Sequence, residues 1–132
     1  MIVIDSSALI AIILYEPERV QFIDTISAAD RCAVSSVTLL ESQIVAFGRL
    51  KDAGTTQLND FLAAIAPEIV PFVEHQSALA FQAFKIYGKG IHPKARLNFG
   101  DCASYALAKS RNLPLLYKGD DFAATDILPA AL

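Results

Sequence analysis

Five carboxylates stand at junctions of this chain where an apolar run gives way to a turn or a helix start. Asp5 closes Met1-Ile2-Val3-Ile4, and Glu41 ends Val37-Thr38-Leu39-Leu40. Asp101 follows Asn98-Phe99-Gly100, and Asp120-Asp121 follow Pro114-Leu115-Leu116-Tyr117-Lys118-Gly119. Carboxylates held close together repel unless cations neutralise them, so a converging set of this kind should bind metal. No His-Cys ligand set accompanies them, and hard oxygen donors favour Mg2+ or Mn2+ over zinc. One or two such ions activate a water and stabilise the attacking and leaving oxygens in phosphodiester hydrolysis. The chemistry indicated is that of a metal-dependent nuclease.

Each acid also has a plainer role. Asp5 suits the cap of a helix that follows a strand. Thr38-Leu39-Leu40-Glu41 fits a capping box, in which the Glu reaches back to the N-cap amide. Asp101 complements the positive end of the next helix, and Asp120-Asp121 can turn the chain with Gly119. Capping and turns leave unexplained why an acid stands at every one of these junctions. Asp24, Asp30, Glu68 and Glu74 fall instead on solvated faces or loops.

The elements that must position these acids alternate between short apolar runs and helical spacing, the pattern of an α/β chain. Ile2 to Ile4 is continuous and β-branched, as expected of a strand buried on both faces. Ser6 or Ser7 caps a helix to about Tyr15, and Pro17 opens another with Val20, Ile23 and Ile26 on one face. Arg31 to Ser35 reads as a second strand and Ser36 to about Lys51 as a long amphipathic helix ended near Gly54. A further helix spans Thr56 to Ala66. Ile69 to Val73 is a third strand, placed at an edge or end by Pro71. Gln76 to Tyr87 is helical, Gly88 to Arg96 a loop rich in Gly and positive charge, and Phe99 to Asn112 a helix. Leu115 to Tyr117 is a strand, and the tail ends in a turn and a last small strand at Ile127-Leu128. Strands separated by helices imply parallel crossovers, and ligands of such sheets bind beyond the carboxyl ends of the strands. Asp5 and Asp120-Asp121 lie at such ends; Glu41 and Asp101 lie near helix starts that face the same crevice.

At 132 residues and 54% hydrophobic, the chain is expected to form one domain, 1–132, with ample material for a core. Its longest apolar runs, such as Ala8 to Tyr15, fall far short of the roughly 20 residues that span a membrane. The start lacks the basic region and cleavage site of a signal peptide, so a cytoplasmic protein is expected. Cys32 and Cys102 are isolated thiols with neither metal-ligand spacing nor a disulfide framework, and are expected in the core. A net charge of −3 argues against unaided binding to a nucleic-acid backbone. Setting four of the fourteen acids against cations leaves ten facing eleven Lys and Arg, and the objection disappears.

The segments Ile4-Asp5-Ser6-Ser7-Ala8-Leu9, Ser36 to Glu41, Leu97 to Cys102 and Leu115 to Phe122 resemble, in order and over the whole chain, the PIN domain. More narrowly they resemble the VapC-type toxins of bacterial toxin–antitoxin pairs. The resemblance implies a three-layer α/β sandwich around a central, mainly parallel sheet. It also implies an Mg2+- or Mn2+-dependent endoribonuclease that acts on RNA, is inhibited by a cognate antitoxin and forms a homodimer. Carried over by position, the family's acids fall on Asp5, Glu41 and Asp101. The fourth falls on Asp121, with adjacent Asp120 as the alternative. Ser7 matches a small hydroxyl residue beside the first acid that orients a water or a carboxylate, a role that competes with helix capping. Tyr117-Lys118 stands where relatives often carry a Thr or Ser. Lys85, Lys89, Lys94, Arg96 and Lys118 are candidates to track an RNA backbone, because cations position phosphates without reading sequence. His92 lacks the partner pattern of a general base.

Other classes make different demands. A phosphoacceptor receiver domain places an acidic pair after its first strand, where this chain has Ser6-Ser7. A haloacid-dehalogenase-like phosphatase needs an Asp at position 7, which is Ser. A metal-free binding module with an acidic pocket would use the acids as caps alone.

Overall fold

Ile2, Val3 and Ile4 form the middle of a sheet because every one of them is buried, and alternation sends them to opposite sides. The computed structural model describes residues 1–132. In chain order it consists of β1 (Ile2–Ile4), α1 (Ser6–Ile13), α2 (Arg19–Ala28), β2 (Cys32–Ser35) and α3 (Ser36–Ile65), followed by β3 (Glu68–Val70), α4 (Glu74–Tyr87), α5 (Phe99–Arg111) and β4 (Leu115–Leu116). The four strands lie in the order β3-β2-β1-β4 and every pairing is parallel. All carboxyl ends therefore open on one edge.

Strand alternation builds two cores. Ile2, Ile4, Cys32, Val34 and Leu116 face α1, α2 and α3, where they pack with Leu9, Ile12, Phe22, Ala46 and Leu58. Val3, Ala33 and Leu115 face α4 and α5, packing with Ala83, Leu97, Leu107 and Phe122. The result is helices, sheet, helices: the expected three-layer α/β sandwich. Both cysteines are free and buried, one in each core. No helix is long and apolar enough to cross a membrane.

Four expected boundaries shift. The two helices expected over Ser36 to Lys51 and Thr56 to Ala66 are one element, α3, interrupted at Lys51 (φ 57°, ψ −143°). The chain turns there and not at Gly54, because Gly54 is buried against the Ala46 carbonyl and lets the two halves close on each other. β3 ends at Val70, before Pro71, and lies at the sheet edge as the proline requires. Beyond it the Phe72 amide donates to Ser36 Oγ at 3.1 Å, off the ladder. In place of a last strand at Ile127-Leu128, the tail makes a single parallel bridge from Pro129 to Leu115. Pro129 has no N–H with which to extend the ladder.

Candidate active site

The carboxyl edge of the sheet gathers Asp5 from the end of β1, Glu41 from α3, Asp101 from the first turn of α5 and Asp121 from the turn after β4. β1 and β4 are neighbours at the point where the strand order reverses, the usual place for a crevice in such a sheet.

Asp5 is 1% exposed and fully partnered. It caps α1: its Oδ2 accepts from the Ser7 amide at 3.0 Å and from Ser7 Oγ at 2.6 Å. Its Oδ1 accepts from Ser104 Oγ, also at 2.6 Å. Ser104 has one proton and gives it to Asp5, so the buried Thr38 hydroxyl, 3.0 Å away, is the donor to Ser104. Ser7 Oγ in turn accepts from the Lys118 amide at 3.0 Å, tying β1 to the chain beyond β4. The cap of α1 is therefore Asp5 and not Ser6 or Ser7, because the serines already lie inside the helix; Ser7 instead positions the Asp5 carboxylate.

Glu41 does not form a capping box with Thr38. Ser35, the last residue of β2, is the N-cap of α3, its Oγ accepting from the Val37 amide. That start places Glu41 in the second turn, where its Oε1 accepts from Ser6 Oγ at 2.6 Å. Its carboxylate lies against the Cα of Gly100, at the amino end of α5. Partial positive charge from that helix end favours an anion there.

The capping box of this protein belongs to Asp101. The Asn98 amide donates to Asp101 Oδ2 at 3.0 Å, and the Asp101 amide donates to Asn98 Oδ1 at 2.9 Å. Burial pushes the Asp101 carboxyl up to about 7; the Asn98 amide opposes this, and the charges of Asp5, Asp121 and Glu41 raise it further. These three are the acids that bear on Asp101. Asp120 bears instead on Tyr117, whose phenol is raised chiefly by burial and then by that charge.

No Lys or Arg pairs with Asp5, Glu41, Asp101 or Asp121, while the ion pairs of the chain lie elsewhere. A half-buried group of four carboxylates with no protein cation fits a hard divalent ion by charge and by donor type. No three His, Cys, Asp or Glu side chains stand at the spacing of a preassembled metal-ligand group. Mg2+ keeps several of its waters and is commonly held by one or two carboxylates together with substrate phosphates, so it does not require an all-protein cage.

The candidate cations divide. Lys85, Lys89, Lys94 and Arg96 are exposed on and beside the loop after α4. Lys118 is engaged, 2.8 Å from Glu16 and 3.4 Å from Glu18. His92 serves the loop itself: its Nδ1 accepts from the amides of Lys94 and Ala95 at 3.1 and 2.9 Å. Four residues at this edge escape the sequence reading in this role: Ser6, Thr38, Gly100 and Ser104. A usable signal exists for Ser104, which follows Asp101 by three positions and shares its helix face. None exists for the others, whose partners are set by tertiary contact.

A family model described as "PIN domain" matches residues 2–128. "Ribonuclease VapC30" of Mycobacterium tuberculosis is 40% identical over 130 residues, 98% of each chain. Among solved structures, "Mycobacterium tuberculosis VapC20 (Rv2549c), Sarcin-Ricin loop cleaving toxin" superposes with a TM-score of 0.78 at 13% identity, covering 97% of both chains. "A member of the VapBC family of toxin-antitoxin systems, VapBC-5" of the same organism gives 0.65 at 25% identity, again over 97% of both. With a family match over residues 2–128 and a curated relative this similar over nearly its full length, the chain belongs to the PIN domain family, among the VapC ribonucleases.

Proposed function

We propose that this protein is an Mg2+- or Mn2+-dependent endoribonuclease and the toxin of a toxin–antitoxin pair. The observation that supports it most is the set of four unpaired acids, delivered by four separate segments to one sheet edge and coupled through Asp101. In this reading Asp5, Glu41, Asp101 and Asp121 hold the ion, with Asp120 the alternative fourth acid. Once bound, the ion supplies an activated water and offsets negative charge on the phosphodiester.

The chain's own residues do the rest. Ser7 and Ser104 hold both oxygens of Asp5 in place, and Ser6 holds Glu41. Lys94 and Arg96, exposed in the loop, contact RNA phosphates. Lys118 can join them only by leaving Glu16 and Glu18. The relative named for a toxin–antitoxin system supports a protein antitoxin as partner; a homodimer acting in the cytoplasm is part of the same reading.

Asp5 and Asp101 also cap α1 and α5, which favours a second reading: a non-catalytic binding domain in which the acids serve the fold alone. Incubating the purified protein with total RNA decides between them. Cleavage that requires Mg2+ or Mn2+, stops with chelator and is lost in Asp5→Asn supports the ribonuclease. Undiminished cleavage by Asp5→Asn would sink the assignment of the site, and no cleavage by any preparation would favour the binding domain.

A further inference from the structure

Gly100 occupies the second position of α5, in a buried stretch where its φ is not in the left-handed region. Neither turn geometry nor helix propensity asks for glycine there, and alanine is the better helix former. The reason for glycine lies in what a side chain would meet. A Cβ at Gly100 would overlap both carboxylate oxygens of Glu41 and lie 2.5 Å from its Cδ. Gly54 and Gly88 differ: the first meets the Ala46 backbone, the second the backbone and ring of Phe84, so both serve packing. At Gly100 the neighbour is the far end of a flexible side chain from another helix, which can move away without disturbing the fold.

We infer that Gly100 is a positioning residue for Glu41: its missing side chain is the slot in which the Glu41 carboxylate rests, between Ser6 Oγ and the start of α5. Any side chain at position 100 ejects that carboxylate and breaks its hydrogen bond to Ser6. The displacement follows from geometry alone; its effect on catalysis rests on the reading of Glu41 as an ion ligand.

The test is Gly100→Ala, with Glu41→Ala, the double variant Gly100→Ala/Glu41→Ala, and Gly100→Ala/Glu41→Asp. A crystal structure of metal-free Gly100→Ala should show Glu41 away from Ser6. Its melting temperature should equal or exceed that of the wild type. Loss of a supporting contact at a metal site costs about 10- to 100-fold, so Mn2+ affinity and kcat on RNA should fall by that order while KM changes less than about twofold. In the Glu41→Ala background the Gly100 change should have no further effect, and the shorter carboxylate introduced by Glu41→Asp should restore part of the loss. Glu41 still seated against Ser6 in Gly100→Ala would overturn the inference, as would an equal loss with and without Glu41. If Gly100→Ala does not fold, folding of the double Ala variant supports the clash and its failure to fold refutes it. Wild-type Mn2+ affinity and cleavage by Glu41→Ala would instead defeat the reading of Glu41 as an ion ligand, and the crystal structure would still decide the positioning claim.

Discussion

Replacing Asp101 by Asn is expected to stabilise the metal-free protein above neutral pH while removing its activity. Burial, with help from Asp5, Asp121 and Glu41, holds this carboxyl at about 7 in the fold against 3.8 in the unfolded chain. Between these values the native protein keeps a proton that the unfolded chain has released. Stability therefore falls as pH rises from about 4 to about 7 and loses nothing further from this group above that range. At about 1.4 kcal/mol per pH unit, the gap of roughly three units amounts to about 4 kcal/mol. Asn can still accept the Asn98 hydrogen bond, but it gives up the charge at the helix end, worth about 0.3–1 kcal/mol. The net gain is about 3 kcal/mol at pH 8 and nothing at pH 4. For a domain of this size, 3 kcal/mol moves the melting temperature by about 10 °C. Urea denaturation in EDTA at unit steps from pH 4 to pH 8 measures it: the two curves should coincide at the acid end and separate with rising pH. Saturating Mn2+ at pH 8 should narrow the gap by stabilising the wild type. If Asp101→Asn were no more stable than wild type at pH 8 in EDTA, the electrostatic description of this edge would be wrong.

Ser104→Ala removes the hydroxyl between Asp5 and Thr38 and should cost about 2 kcal/mol, the usual range for a hydrogen bond to a buried charge; a urea midpoint unchanged at constant slope would contradict this. Gly54→Ala drives a Cβ into the Ala46 carbonyl and to within 2.8 Å of Leu50 Cβ, so a loss of about 1–3 kcal/mol should appear by calorimetry. A melting temperature at the wild-type value would mean that α3 relaxes at its break. Asp121→Asn should lower kcat on RNA at least tenfold more than Asp120→Asn, because Asp121 bears on Asp101 and Asp120 bears on Tyr117. The reverse order would give Asp120 the fourth role.

The parts of this molecule that local patterns encode are legible in the chain. Ile2-Val3-Ile4 announces a strand buried on both faces, Pro71 announces a strand's end, and the order of strands and helices brings the acids to one edge. Patterns that recur by chance mislead: Thr38-x-x-Glu41 satisfies the capping-box rule, yet the helix begins earlier because Ser35 closes β2 and caps α3 at once. The true box, Asn98-x-x-Asp101, shows in the sequence only as an acid near a helix dipole. Lys51 breaks α3 in place of the nearby glycine because the glycine is needed where the two halves touch. What stays hidden is set by residues far apart in sequence. Ser104 reaches Asp5 across 99 positions, and Gly100 matters only because Glu41 folds over it.

The central claim is that four acids from four segments make one cation site, and Mn2+ binding tests it without recourse to RNA. Calorimetric titration at pH 7.5 should find Mn2+ bound by the wild type and affinity at least about tenfold weaker in each of Asp5→Asn, Glu41→Gln, Asp101→Asn and Asp121→Asn, all folded by circular dichroism. Wild-type affinity in folded Asp5→Asn and Asp101→Asn would contradict the account.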